Sequence, residues 1–302
     1  MTRLLAALAQ KQAPPLEQLE IGEARRQYRL SCSGFGLPVV SLPSIEDRVT
    51  PDGHGIRIYR PVDGDADLPW ILYLHGGGWV LGDLDTHDPV CRLLARDSGC
   101  CVIALDYPLA PEHPFPAGLD SAFAAIAWIR GNAASFHVDP ERMAIGGDSA
   151  GACLAASCCL MLRDAGMPAP RLQLLFYPAT DLAADTQSYR RVTSEVPLTA
   201  ARMHWFLDRY IGSTGQRLDW RASPLRAPSL SHLPPAFIVT AGRDPLRDEG
   251  IAFAQRLEQE GTRVTHLHLA DQIHGFLTLG RTLRRAAVVL QQAARELESS
   301  TA

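Results

Sequence analysis

The hydrophobic positions of the chain are concentrated in short unbroken runs. Five runs show no alternation of apolar and polar residues, and they span 70–75, 101–107, 143–147, 172–177 and 236–242. A run of this kind is typical of a strand buried on both faces, as in a parallel sheet. The sequence VTHLHL at 264–269 does alternate, which predicts a strand near an edge of the sheet.

Other patterns separate these runs. The segment 45–61 contains two short strand patterns around a Pro-Asp-Gly turn, which predicts a hairpin. Helical periodicity marks 119–129, 149–162 and 248–261, and the last of these has acidic residues in its first turn. The alternation of strands and helices predicts an α/β fold, in which a mostly parallel sheet is flanked by helices. Ligands of such folds bind at the carboxyl ends of the strands.

Two segments do not fit this alternation. Residues 1–44 precede the first strand, and residues 183–222 separate two strands and contain an amphipathic helical pattern. We expect these two cap segments to fold together over the site, which leaves 45–182 and 223–302 as the principal domain. The alternative is that both cap segments pack on the flank of the sheet.

The composition is that of an ordinary globular protein. Of its 302 residues, 46% are hydrophobic and 21% are charged, and the net charge is −4. No basic run predicts a nucleic-acid partner, and no apolar run approaches the ~20 residues that span a membrane. Residues 1–12 have too short an apolar core for a signal peptide and are expected to form an amphipathic helix. We therefore expect a soluble cytoplasmic protein.

The seven cysteines and ten histidines show no metal-binding spacing. Adjacent cysteine pairs at 100–101 and 158–159 lie in apolar segments, where a thiol acts as a small buried hydrophobic group. His266 and His268 alternate along the predicted edge strand, which favours a solvated pair over a metal site. We expect neither a metal nor a cofactor.

Candidate chemistry begins with GGDSAGA at 146–152, which places Ser149 in a G-x-S-x-G pattern. This pattern is that of a nucleophile elbow when it joins a strand to a helix, and MAIGG before it and ACLAASCCLML after it provide that context. Small residues in the helix allow it to lie close to the sheet. The alternative is that Ser149 only caps the helix, although a helix cap does not require paired glycines.

A second glycine-rich motif, HGGGW at 75–79, directly follows the predicted strand 70–74. Consecutive glycines in a buried setting carry an entropic cost and need a reason. Their backbone N–H groups can form half of an oxyanion hole, and the candidate donors are Gly77, Gly78 and Ala150. The alternative is a plain turn or an anion-binding nest.

The order of the longer motifs resembles that of one known family. HGGGWVLGDLDTHD, DYPLAPEHPFPA, GGDSAG, DPLRDEG and IHGF resemble the hormone-sensitive-lipase-like carboxylesterases, and the matches run from about residue 45 to 277. This resemblance implies an α/β-hydrolase fold with an eight-stranded, mostly parallel sheet and a helical cap. It also implies a dimer in many members and small, short-chain esters as substrates.

The resemblance assigns the catalytic acid to Asp244 and the base to His274, with Ser149 as the nucleophile. The pattern of strands leads to the same pair, because each residue follows a predicted strand at its carboxyl end. Asp248 and Glu249 are weaker candidates for the acid, since they lie in a first helical turn and are expected to cap it.

The sequence therefore predicts a serine carboxylesterase that acts through an acyl-enzyme intermediate. Trp79, Met203 and Phe206 are the residues expected in the pocket wall. The same triad could serve an amidase or deacetylase, a lactonase or an acyltransferase, and a ligand receptor without activity is the alternative of another class. A homodimer through the strand 264–269 is a further hypothesis.

Overall fold

The computed structural model describes residues 14–192 and 196–302. The amphipathic helix expected at 1–12 lies outside these ranges. In the described parts of the chain, the strands are β1 Ser44–Val49, β2 Gly55–Arg60, β3 Leu68–Leu74, β4 Cys101–Leu105, β5 Val138–Asp148, β6 Gln173–Phe176, β7 Ala236–Arg243 and β8 Val264–Ile273.

The helices of the same ranges are α1 Ile21–Phe35, α2 Leu84–Ser98, α3 Ala117–Gly131, α4 Ala133–Phe136, α5 Ala150–Asp164, α6 Gln187–Arg191, α7 Ala200–Tyr210, α8 Thr214–Arg217, α9 Arg247–Gln259 and α10 Arg285–Thr301. Short 3-10 turns cover Leu16–Gln18, Pro224–Arg226 and Phe276–Leu279. No helix in the described ranges is long and apolar enough to cross a membrane.

The strands form one eight-stranded sheet in the order β1-β2-β4-β3-β5-β6-β7-β8. β1 and β2 form the predicted hairpin, and β2 also runs antiparallel to β4, whereas every pairing from β4 to β8 is parallel. The predicted mostly parallel sheet is therefore confirmed. β5 begins earlier than the apolar run 143–147 predicts, because Val138 already pairs with Leu68 of β3.

The unbroken apolar runs are explained by cores on both faces of the sheet. In β3, Trp70, Leu72 and Leu74 belong to the core that contains α3 and α5, whereas Ile71 and Tyr73 belong to the core that contains α2 and α10. Alternate residues of a strand point to opposite faces, so a strand covered on both sides must be apolar throughout. β8, the alternating strand, is the last of the sheet, as predicted.

The two cap segments contact each other and the loop after β3. Arg202 in α7 forms an ion pair with Glu17 at 2.7 Å, which links the second segment to the first. Arg25 in α1 donates to the carbonyl oxygens of Val80 and Ala110 at 2.9 and 3.0 Å. These bonds attach α1 to the loops at the carboxyl ends of the strands.

Candidate active site

The turn from β5 to α5 holds Ser149 in an uncommon backbone conformation, with φ 56° and ψ −116°. Gly147 and Gly151 flank this turn, and a Cβ on them would lie 2.2 and 1.9 Å from the carbonyl oxygen of Leu74. Only residues without a side chain allow the turn to approach β3 this closely. The serine hydroxyl is directed towards His274, so the reading of Ser149 as a helix cap is not supported.

His274 and Asp244 form a hydrogen-bonded chain with Ser149. Ser149 Oγ lies 2.8 Å from His274 Nε2, and Nδ1 of the same ring lies 2.7 Å from Asp244 Oδ2. The other carboxylate oxygen of Asp244 accepts the backbone N–H of Leu246 at 2.8 Å, which fixes the carboxylate. In such an arrangement the carboxylate orients the imidazole, and the imidazole can take the proton of the serine.

The glycine-rich loop after β3 provides backbone donors beside this chain. Gly77 and Gly78 have φ values of 130° and 62°, and added Cβ atoms would meet the carbonyl of Leu81 and the ring of Phe206. Both glycines line the cavity of the Ser–His pair, and within the described ranges neither amide donates a hydrogen bond. Ala150 is the first residue of α5, where amides have no intrahelical acceptor.

Asp148, beside the serine, lies under the site and holds its loops together. Its Oδ1 accepts the amide of Gly76 at 2.9 Å and the hydroxyl of Tyr73 at 3.0 Å, and its Oδ2 accepts the hydroxyl of Tyr177 at 3.3 Å. His87 Nε2 lies 3.1 Å from Oδ1, but outside hydrogen-bond geometry, so this contact is electrostatic. Burial opposes the ionisation of Asp148, yet His87 and these hydrogen bonds hold its pKa below the usual value.

His75 fixes the same loop and is unsuited to act as the base. Its ring stacks on Tyr107 at 4.4 Å, and its Nδ1 lies 2.8 Å from the carbonyl oxygen of Gly76. Burial lowers the pKa of His75 to about 4, so the ring is neutral at physiological pH. The hydroxyl of Tyr107 donates to the backbone carbonyl of His75 at 2.7 Å and holds the loop from the other side.

A cavity of about 910 Å³ opens onto Ser149 and His274. Met203 and Phe206 line it from α7. The expectation that Trp79 lines it is wrong, because a φ of 61° turns this residue into the core, where its ring stacks on Tyr210 at 4.4 Å. The wall on that side is formed by the glycines of the loop instead.

Several residues of the cavity wall were not predicted from the sequence. Tyr28 and Cys32, one helical turn apart in α1, both line the cavity, and so does Arg243 at the end of β7. Burial raises the pKa of Cys32 to about 12, so it is a protonated thiol in the wall of the cavity that Ser149 also lines. The position of Arg243 immediately before Asp244 is a signal that could have identified it.

The expectation that Asp248 and Glu249 cap their helix is wrong. Asp248 Oδ2 accepts the amide of Ser188 at 2.7 Å, and Glu249 Oε1 accepts the amides of Thr180 and Asp181 at 2.8 and 3.2 Å. The loop after β6 and the second cap segment supply these donors, and a sequence pattern within one helix does not report them. Asp248 therefore ties the second cap segment, and Glu249 the loop after β6, to the helix that follows Asp244.

His266 and His268 are both exposed on the last strand of the sheet, as predicted, and they also contact a buried hydroxyl group. His266 Nε2 and His268 Nδ1 lie 2.8 and 2.9 Å from the hydroxyl of the buried Thr240 on the neighbouring strand. The described parts of the chain contain no group of three or more side chains suited to a metal ion.

Comparison with known proteins identifies relatives along most of the chain. A family model described as the alpha/beta hydrolase fold matches residues 71–278. The carboxylic ester hydrolase LipN of Mycobacterium tuberculosis is 43% identical over 269 residues, which cover 86% of this chain and 71% of LipN. An ethyl acetate hydrolase of Pseudomonas putida is 38% identical over 279 residues, which cover 90% of this chain and 88% of that enzyme.

Solved structures of esterases show the same fold. A thermostable esterase of Pseudomonas putida superposes with a TM-score of 0.95 at 34% identity, covering 99% of this chain and 96% of the other. An esterase of Pyrobaculum calidifontis superposes with a TM-score of 0.92 at 38% identity, covering 99% of this chain and 98% of the other. The similarity thus extends across the described core and both cap segments.

Proposed function

This chain belongs to the hormone-sensitive-lipase-like carboxylesterases of the α/β-hydrolase fold, and from that premise we propose that Ser149, His274 and Asp244 are the catalytic triad of a serine carboxylesterase for small esters. The observation that carries the proposal is the continuous chain of contacts at 2.8 and 2.7 Å through His274. Its position in the wall of a cavity that Gly77 and Gly78 also line, where neither amide donates a hydrogen bond within the described ranges, suits acyl transfer.

The proposed reaction proceeds in two steps. His274 Nε2 takes the proton of Ser149 as its Oγ attacks the ester carbonyl, and Asp244 stabilises the imidazolium that results. The amides of Gly77, Gly78 and Ala150 receive the negative oxygen, and each such donor is worth ~10²–10³ in rate. His274 then protonates the departing alkoxide, and a water molecule, activated by the same ring, releases the acid.

A serine-directed fluorophosphonate probe tests the nucleophile. We expect the probe to label the wild-type protein stoichiometrically and Ser149→Ala not at all, while both fold alike by circular dichroism. If the Ser149→Ala variant were labelled, or if it hydrolysed p-nitrophenyl acetate at the wild-type rate, the assignment of Ser149 would be refuted.

The preference for small esters is tested by a rate series of p-nitrophenyl esters from acetate to palmitate. We expect kcat/KM to be highest at short acyl chains, because side chains of both cap segments, among them Tyr28 and Phe206, form part of the wall of the cavity that Ser149 lines. A maximum at the longest chains would contradict this preference.

We also propose that the two cap segments, 1–44 and 183–222, form one functional unit over the domain built from 45–182 and 223–302. The ion pair between Glu17 and Arg202 supports this division. The homodimer through 264–269 is proposed because β8 lies at the edge of the sheet, and a monomer in light scattering would exclude it. A cytoplasmic location stays a prediction, which fractionation of the source cells would test.

A further inference from the structure

The wall of the active-site cavity is more positive than the protein as a whole. Three arginines line it, Arg26, Arg202 and Arg243, and the single carboxylate that lines it within the described ranges is Asp148. The chain itself carries a net charge of −4. A positively charged cavity in a negatively charged protein is expected to favour negatively charged ligands.

Asp148 does not neutralise these arginines. Its carboxylate is 2% exposed and is occupied by the amide of Gly76 and the hydroxyls of Tyr73 and Tyr177 beneath the loop. A carboxylate already bound by several donors has no free oxygen for a guanidinium in the cavity.

The three arginines differ in their partners. Arg26 pairs with Glu23 at 2.6 Å, and Arg202 pairs with Glu17 at 2.7 Å. In residues 14–192 and 196–302, Arg243 has no carboxylate within ion-pair distance, and its side chain is exposed. Its five N–H donors and its charge are therefore available to a substrate.

The position of Arg243 within the sheet indicates which part of an ester it would meet. Arg243 is the last residue of β7, and it pairs with Ile273, the residue before His274. In the proposed reaction, the oxyanion is bound by the glycine amides, whereas the alcohol departs on the side of the imidazole that protonates it. Arg243 and His274 therefore lie at the carboxyl ends of two paired strands and both line the cavity, and we infer that Arg243 is on the side of the leaving alcohol.

We propose that the site is specific for esters that carry a negative charge on the alcohol part, such as acylated hydroxycarboxylates, and that Arg243 is the residue that selects them. The guanidinium binds the carboxylate of the alcohol part while Ser149 attacks the acyl carbonyl. The acyl group is transferred to Ser149 and then to water, and the hydroxycarboxylate leaves with the proton from His274. This inference rests on the proposed function and adds the substrate class to it.

The test compares three substrates of similar size, 4-acetoxybutanoate, monoethyl glutarate and neutral pentyl acetate, by pH-stat at constant ionic strength. The first carries its charge on the alcohol part and the second on the acyl part. In the wild type, we expect the first to have the highest kcat/KM. In Arg243→Gln, we expect the ratio of 4-acetoxybutanoate to pentyl acetate to fall about tenfold, which is the contribution of one charge-assisted hydrogen bond.

Arg295→Gln is the matched control, because Arg295 is exposed on α10 and outside the cavity, and its replacement changes the net charge equally. We expect this control to keep the wild-type ratio, and Arg243→Glu to reverse it. An unchanged ratio in Arg243→Gln would overturn the proposal, and an Arg243-dependent preference for monoethyl glutarate would overturn the placement on the alcohol side. If the wild type hydrolysed none of the three esters, the proposed esterase function would itself be contradicted.

Discussion

Replacement of Asp148 by Asn tests the most heavily bonded side chain of the site. The carboxylate accepts three hydrogen bonds, at 2.9 Å from Gly76 N, 3.0 Å from Tyr73 and 3.3 Å from Tyr177. Asn keeps the shape of Asp but offers one acceptor oxygen, and its NH₂ group would face donors. At least one buried donor therefore loses its partner in Asp148→Asn.

The expected cost follows from these contacts. A hydrogen bond to a charged group contributes ~1.5–3 kcal/mol, and a buried donor left unpaired costs ~1–3 kcal/mol. We therefore expect Asp148→Asn to lower the free energy of unfolding by about 2–4 kcal/mol, which lowers Tm by about 3–6 °C in a chain of this length. Since Gly76 precedes the proposed oxyanion donors, we also expect kcat to fall about 10–100-fold with a smaller change in KM.

The pH dependence provides a second signature of this change. Because the folded pKa of Asp148 is lowered, its ionised form stabilises the fold above the unfolded pKa of ~3.9, and this contribution is lost as the pH falls through the folded pKa. The difference in unfolding free energy between wild type and Asp148→Asn should thus be constant from about pH 7 to about pH 5 and shrink as the pH falls below ~3.9.

Urea unfolding at these pH values and steady-state kinetics on p-nitrophenyl acetate provide the measurements. Asp65→Asn is the control, because Asp65 is on the surface, with a side chain 89% exposed, and its loss changes the net charge equally. If Asp148→Asn matched Asp65→Asn in kcat and in stability, the assignment of Asp148 as the support of the glycine loop would be refuted.

Three further changes probe other contacts. Gly151→Ala should destabilise the protein by about 3 kcal/mol, because its Cβ would lie 1.9 Å from the carbonyl oxygen of Leu74. Gly131→Ala is the control, since a Cβ there has no atom within 4 Å and should leave Tm unchanged or slightly raised. Differential scanning fluorimetry compares the two variants, and equal Tm values would contradict the packing argument. Burial raises the pKa of Glu249 well above its usual range, so this side chain lowers the stability of the fold as the pH rises above the unfolded pKa of ~4.3. The Tm of Glu249→Gln should therefore increase relative to the wild-type Tm between about pH 5 and 8. A Tm difference that does not change with pH would contradict this argument. Phe206→Ala enlarges the cavity and should move the optimal acyl length of the p-nitrophenyl ester series to longer chains, since one methylene is worth ~1–3 kcal/mol in an apolar pocket. An unchanged optimal length would show that the acyl chain does not bind against Phe206.

The sheet and the placing of the Ser–His–Asp chain were predictable because both depend on local sequence. A strand covered on both faces must be apolar at each position, and β3 satisfies this rule with residues of two separate cores. Ser149 is recognisable because Gly147 and Gly151 are imposed by the approach of the turn to Leu74. In these cases the constraint leaves its mark on residues that are neighbours in the sequence, even where a distant residue such as Leu74 imposes it.

The errors concern contacts between distant segments. Trp79 lies in the predicted loop, but its side chain is directed by a stack with Tyr210, far along the chain in the second cap segment. Glu249 lies in a first helical turn, where acids commonly cap, yet its carboxyl group binds backbone amides of the loop after β6. Periodicity within one element contains no information about such partners, so the direction of these side chains had to come from the structure.

A buried anion beside an oxyanion site raises an electrostatic question, because Asp148 would oppose the negative charge that develops next to Ser149. Its hydrogen bonds resolve this conflict. Each of its oxygens accepts a donor from beneath the site, and one donor is the amide of Gly76, the first glycine of the oxyanion loop. The carboxylate thus orders the peptide groups that precede Gly77 and Gly78, and both of its oxygens face hydrogen-bond donors. Within the described ranges the amides of Gly77 and Gly78 donate no hydrogen bond, so in the proposed mechanism the anion supports catalysis through the loop that it holds.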